Sequence, residues 1–261
     1  MWKKTIGRVA FINCEPLYYG LNSQWRILSA PPSWLTGHLL RRDCIIAPIP
    51  AADYAKYSDE LVLVPNLSIS SKGEVGSVLL FSKHNLNDVK TIALPSDSAT
   101  SVKLLKYLLN SRGIRPEYIE MGPDLDAMLA KCDACLLIGD RALNASTNYP
   151  DIVKLDLGSE WKENSGYPMV FGVFAARSDT DKKLVIEAHN ALLSRLEDFE
   201  NNQDTRAKVI LECAERTNQD ISRLEKYFGE VINRMDAEDM DGLNLFLGDV
   251  CEMPHGPKLA W

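Results

Sequence analysis

The sequence predicts an α/β chain in two halves with a ligand crevice between them, on three observations. The first 55 residues alternate short apolar strands with helices, residues 91–138 repeat that alternation, and polar residues stand where several of these strands end. Ligands of open α/β sheets bind beyond the carboxyl ends of the strands, so the polar strand ends mark the crevice.

The first strand is an apolar run over residues 8–12 that stops at Asn13, and Pro16 beyond it suits the first turn of a helix. Asn13 therefore sits at a strand's carboxyl end, where its amide can bond its own turn or face a ligand. Ser33 caps a helix over 34–40, a strand follows at 44–47, and Pro48-Ile49-Pro50 turns the chain into a short helix from Ala51. After a strand at 61–64, the segment 68–74 carries Ser68, Ser70 and Ser71, enough hydroxyls for a turn or a ligand contact. It leads into the long apolar run 75–81, interrupted by Ser77.

Residues 91–94 form a buried strand, and beyond it Val102, Leu105 and Leu109 recur at helical spacing, with Gly113 just past the end. The polar stretch between them is a strand-to-helix turn with Ser98 at the N-cap. A helix start offers unpaired N–H groups and the positive end of the macrodipole. Here Ser96, Ser98, Thr100 and Ser101 surround it, with Ala99 among them, so a carboxylate or phosphate can be held without any arginine. Capping and anion binding are both open to these hydroxyls.

A strand at 117–120, a helix around 125–130 and a strand at 134–138 follow, the last ending in Gly139-Asp140, where Asp140 suits the cap of the next helix. A second long apolar run spans 169–176. From Thr180 on the pattern is charged and amphipathic, with helices at 184–197, 205–215, 221–234 and 243–246 and no further strand. The tail from Glu252, with Pro254, Gly256 and Pro257, is expected to be loose.

Composition excludes several classes. Lys and Arg number 29 against 36 Asp and Glu, and the net charge of -7 offers no surface to nucleic acid or to an anionic membrane. The positively charged start, residues 1–8, is followed by an apolar core of only residues 9–12, too short for a signal peptide, and no run reaches transmembrane length. A cytoplasmic protein is expected. The six cysteines, at 14, 44, 132, 135, 213 and 251, show no disulfide framework. Cys132 and Cys135 have the spacing of a redox pair or half a zinc site, but no second pair or histidine partner follows, and Cys135 enters a buried strand. They read as core thiols, and the four histidines lie too far apart to suggest a metal cluster.

Five ordered motifs carry a family resemblance. They are Arg8-Val-Ala-Phe-Ile-Asn13 with Pro16-Leu-Tyr-Tyr-Gly20; Leu67-Ser-Ile-Ser-Ser71 with Val75-Gly-Ser-Val-Leu-Leu-Phe-Ser82; Ser96-Asp-Ser-Ala-Thr-Ser101; Leu136-Leu-Ile-Gly-Asp140; and Asp156-Leu-Gly-x-Glu160-Trp with Gly166-Tyr-Pro-Met-Val-Phe171. Together they resemble the chorismate dehydratases of the futalosine route to menaquinone, over residues 8–246. Cys14-Glu15 departs from the small or apolar residues usual there, and Cys132 and Cys135 are no family signature.

The resemblance implies a two-lobed fold similar to the type II periplasmic binding proteins, with a ligand cleft between lobes joined by two crossover strands. The apolar runs 75–82 and 169–176 are the candidates for those crossovers, giving lobe 1 from 1–82 and 175–261 and lobe 2 from 83–174. It implies a hydro-lyase that converts chorismate to 3-[(1-carboxyvinyl)oxy]benzoate with no metal and no cofactor. The one expected partner is this small dicarboxylate.

Two substrate carboxylates call for two anion sites. One is the helix start at Ser98, Ala99, Thr100 and Ser101; the other is the Ser70-Ser71 loop or the Gly139-Asp140 turn, with Ser77 as a further contact. Asn13 is the catalytic candidate. An amide is no strong base near neutral pH, so it would hold the substrate or its leaving hydroxyl, with a nearby carboxylate or the substrate's own enolpyruvyl carboxylate as base. A non-catalytic small-anion binding protein and the sibling dihydroxynaphthoate synthase are the alternative readings.

Overall fold

The computed structural model describes residues 4–21 and 23–261; part of the charged start, residues 1–3, and one residue of the expected lobe 1, residue 22, lie outside the described residues. Eleven strands among the described residues form two sheets, and sheet membership follows the chain in three blocks.

The first sheet takes β1 (Thr5–Val9), β2 (Arg26–Ala30), β3 (Ile46–Pro50), β4 (Leu61–Ser71), β10 (Met169–Arg177) and β11 (Ile232–Arg234), in the order β11-β4-β10-β3-β1-β2. The second takes β5 (Val78–Ser82), β6 (Thr91–Pro95), β7 (Glu117–Met121), β8 (Ala134–Ile138) and β9 (Val153–Asp156), in the order β7-β6-β8-β5-β9. In each sheet the strands joined by helices run parallel, β1 with β2 and β3, β6 with β7 and β8. The strand that enters from the other sheet runs antiparallel, β10 between β3 and β4, β5 between β8 and β9.

In both apolar runs the strand lies past the crossing, and only residues 75–77 of the first run belong to a crossing. Each is a central strand of the sheet it has just joined, and its continuous apolar sequence reflects cover on both faces: every residue of β5, and all of β10 but Arg177, is buried. The passages between sheets lie ahead of them, at residues 72–77 and 157–168. Asp156, at the end of β9, ties the two passages together. Its carboxylate accepts from the N–H groups of Val75 (3.1 Å) and Gly76 (2.8 Å) on one passage and of Gly158 (2.9 Å) and Ser159 (3.1 Å) on the other, where it also caps α7 (Leu157–Ser165). Gly158 lets the passages touch, because a Cβ there would lie 2.3 Å from the Gly73 carbonyl oxygen. Trp161 of α7 is fully buried, donates its indole N–H to Pro168 O at 3.1 Å and packs edge-on against Phe246.

Three short strands escape the sequence pattern. β2 is an edge strand with mostly exposed or half-exposed residues, and β9 and β11 span four and three residues. The helix expected over 221–234 ends at Glu230, as α10 (Ile221–Glu230), so that the chain can add β11 beside β4. The segment 68–74 is a loop only in its second half. Ser68, Ser70 and Ser71 belong to β4 and are buried between β10 and β11.

The tail is also held rather than loose. β11 covers only the 67–70 part of β4, which leaves Leu63 with open backbone groups. The tail fills that edge: Leu63 N–H donates to Lys258 O and Ala260 N–H to Leu63 O, both at 2.8 Å, while Lys258 N–H donates to the Tyr54 hydroxyl at 2.9 Å. No helix among the described residues is long and apolar enough to cross a membrane.

Candidate active site

A cleft with about 560 Å³ of empty space, counted out to open solvent, lies where strand ends of the two sheets face one another. The first sheet and its connections contribute Phe11, Asn13, Pro32, Pro48, Ile49, Pro50, Ile69 and Phe171; the second side contributes Ser77, Ser98, Thr100, Ser101, Ile138 and Gly139. It has an apolar wall and a few polar groups, the make-up of a small-molecule site.

Asn13 stands on a single 3-10 turn, Ile12–Cys14, directly after β1. It is 7% exposed, and its side-chain oxygen is buried with no hydrogen-bond partner among the described residues. A buried amide oxygen left unpaired is costly, and so sets Asn13 apart among the residues of the cleft lining.

The strand-to-helix turn after β6 opens α4 (Ala99–Ser111) onto the same space. Ser98 holds the N-cap position in an extended conformation, but its hydroxyl makes no capping bond, which frees it for the cleft. Thr100 is buried, and its hydroxyl oxygen accepts from the N–H of Ala52 at 3.1 Å, at the start of α3 (Ala51–Lys56); its proton stays available to donate. Ser101 lines the cleft one residue on. Ala99 does not; it faces a neighbouring hollow formed with Ala52, Lys56, Lys103 and Cys251.

Gly139 opens α6 (Gly139–Asn148) and lines the cleft, donating its N–H to Ser77 O at 2.7 Å. Its φ of +60° and the Phe11 ring, 2.5 Å from where a Cβ would stand, both require glycine. Asp140 is not a cleft residue. Its Oδ1 accepts the Ile12 N–H at 2.9 Å, and burial pushes its carboxyl above the usual range, against the pull of that N–H, Arg216 and Arg141. Ser70 and Ser71 are likewise outside the cleft. Ser70 Oγ lies 3.4 Å from Ile232 O and 3.2 Å from Ser68 Oγ, and Ser71 Oγ donates to Gly73 O at 3.0 Å, so the first hydroxyl serves the sheet and the second the passage that leaves it.

None of the described residues lining the cleft has a side chain that titrates. Charges close in sequence to lining residues are paired among themselves: Arg141 with Asp97 at 2.8 Å, and buried Glu15 between Arg8 and Arg216. Those two arginines account for Glu15, the departure from the family motif, while burial pushes the adjacent Cys14 thiol up to about 12. Among the described residues no group of three or more His, Cys, Asp or Glu is placed to hold a metal ion. Cys132 and Cys135 are both buried, and burial pushes Cys135 up to about 12.

The sequence did not single out the apolar wall. Phe11, Pro48, Ile69 and Phe171 lie within strands or at strand ends whose apolar character also serves the core, and only Pro48-Ile49-Pro50, expected as a turn but forming the end of β3, gave a local signal.

Two α/β lobes around such a cleft define the periplasmic-binding-protein fold. The chain is similar to a protein from Archaeoglobus fulgidus (TM-score 0.74, 20% identity, 95% of this chain and 96% of that one). It is also similar to the alkanesulfonate-binding protein SsuA from Xanthomonas axonopodis pv. citri bound to MOPS (TM-score 0.66, 14% identity, 98% of this chain and 96% of that one). At these identities the likeness is one of fold. The model of the menaquinone biosynthesis family matches residues 4–251, and the chain belongs to that family, as the five motifs led one to expect. It is 29% identical to the chorismate dehydratase of Thermus thermophilus, over 97% of this chain and 96% of that protein.

Proposed function

We propose that this chain dehydrates chorismate to 3-[(1-carboxyvinyl)oxy]benzoate, a first step of futalosine-type menaquinone biosynthesis. The observation that carries the reading is the buried, unpartnered Asn13 oxygen in a cleft with no titratable side chain. The similarity to the Thermus thermophilus enzyme supplies the substrate.

The chemistry suits such a site. The ring proton to be lost lies vinylogous to the ring carboxylate, so the electrons of the breaking C–H bond are first delocalised toward that carboxylate. They then form the last ring double bond as the neighbouring C–O bond breaks and the hydroxyl leaves with its electron pair. The proton and the hydroxide make one water, and aromaticity drives the step. What the protein must supply is placement and stabilisation of negative charge.

Neutral donors of the cleft fit both needs. Ser98, Thr100 and Ser101, with the first-turn N–H groups of α4, hold one carboxylate; Ser77 and the start of α6 at Gly139 hold the other. Asn13 fixes the ring and its leaving hydroxyl. With no Asp, Glu or His among the described lining residues, the base in this proposal is the substrate's own enolpyruvyl carboxylate. We further place the lobe boundaries at the 72–77 and 157–168 passages, where sheet membership changes, making the first lobe discontinuous.

Incubation of the purified protein with chorismate alone, followed by mass spectrometry, tests the reaction. Loss of one water with no added metal or cofactor supports it. Binding of chorismate that is recovered unchanged would make the chain an anion-binding protein instead.

A further inference from the structure

Ser77 is backed by a second hydroxyl that does not itself reach the cleft. Tyr227, on α10, is fully buried, and its Oη lies 3.0 Å from the Oγ of Ser77, itself a buried residue of the cleft lining. No other partner for the Tyr227 hydroxyl exists among the described residues. The polarity of this bond follows from that isolation. If Ser77 donated to Tyr227, the phenol proton would be buried without an acceptor; if Tyr227 donates, the phenol is satisfied and the serine proton turns to another acceptor. That proton has only Val75 O nearby, at 3.4 Å, a long contact that an anionic oxygen in the cleft would displace.

The docking of α10 fixes the pair. Gly76 adopts φ +66° with no room for a Cβ, because the Glu230 carboxylate would be 2.2 Å and the Arg223 guanidinium 2.5 Å from it. Arg223 and Glu230 pair at 3.0 Å on the same helix that carries Tyr227. The backbone on which Ser77 stands is thereby pressed against α10, and burial keeps the phenol protonated by pushing its pKa upward.

We propose that Tyr227 is a positioning residue that sets the Ser77 hydroxyl as a hydrogen-bond donor to a substrate carboxylate. This rests on the reading of the cleft as a dicarboxylate site. The C-terminal helices then take part in binding through a residue that never touches the ligand.

The test is a double-mutant cycle on Tyr227→Phe and Ser77→Ala, read by calorimetric binding of 3-(carboxymethoxy)benzoate and by kcat and KM with chorismate. Tyr227→Phe keeps the ring and its packing. Each single variant is expected to weaken binding of the probe about tenfold, as for one lost charge-assisted hydrogen bond, and the double variant to bind no worse than Ser77→Ala. Additive losses, or unchanged binding in Tyr227→Phe, would overturn the proposal. Wild-type protein that binds the probe but does not dehydrate chorismate would sink the proposed reaction alone; wild-type protein that does neither would sink both.

Discussion

The backbone N–H of Ile12 reaches the Asp140 carboxylate at 2.9 Å, from the turn after β1 in one sheet to the turn after β8 in the other. The bond falls one residue before Asn13 and one after Gly139, whose missing side chain makes room for Phe11. The two lobes are therefore latched beside the cleft by the residues that flank its polar groups, and the geometry of Asn13 depends on a carboxylate that does not line the site.

Asp140 separates this positioning role from its charge. Burial raises its pKa, so the folded state holds the proton more tightly than the unfolded chain. The stability it gives is fully present below the ordinary carboxyl range, about 4, and is lost as pH rises through the raised value. Asp140→Asn keeps an acceptor for Ile12 and removes that loss. It should melt higher than the wild type at neutral pH, with the gap closing toward pH about 4, and should retain most turnover. Asp140→Ala removes the acceptor and should lower kcat about tenfold, a lost hydrogen bond's worth. A melting difference that is the same at both pH values would contradict the assignment.

Ser98 offers the opposite contrast. Because its hydroxyl makes no capping bond, Ser98→Ala should cost less than about 0.5 kcal/mol of stability, where loss of a real N-cap costs about 1. Its effect belongs on kcat/KM, expected to fall about tenfold. Thermal melts and steady-state kinetics on the same preparation decide it; a large drop in melting temperature with normal kinetics would make Ser98 a cap.

Asp156 is the structural counterpart. One carboxylate serves N–H groups on both passages between the sheets. Asp156→Ala leaves those donors unpaired and should destabilise the protein by about 2 to 4 kcal/mol in urea unfolding, more than a surface carboxylate would. A loss under about 1 kcal/mol would show that water replaces it without difficulty.

What could be read from the sequence follows from how local each signal is. β1, β3, β6, β8 and β10 announce themselves as apolar runs, and the turn at Ser98 as hydroxyls before a helical repeat. β2, β9 and β11 do not, because a half-exposed edge or a three-residue strand leaves no period to detect. Ser70 and Ser71 looked like ligand contacts since a hydroxyl that satisfies a sheet is indistinguishable in sequence from one that faces a ligand; their bonds to Ile232 and Gly73 make the difference. Tyr227 lies 150 positions from Ser77, and only the docking of α10 brings them together.

Asn13 carries the central claim, that an unpartnered amide in a cleft without titratable groups positions chorismate for loss of water. The direct measurement is kcat for chorismate dehydration by Asn13→Ala, taken beside its melting temperature. The account predicts turnover lower by about a hundredfold or more, the scale for one preorganised group, with folding stability little changed or improved, since a buried unpaired polar atom is removed. Turnover near that of the wild type would contradict it.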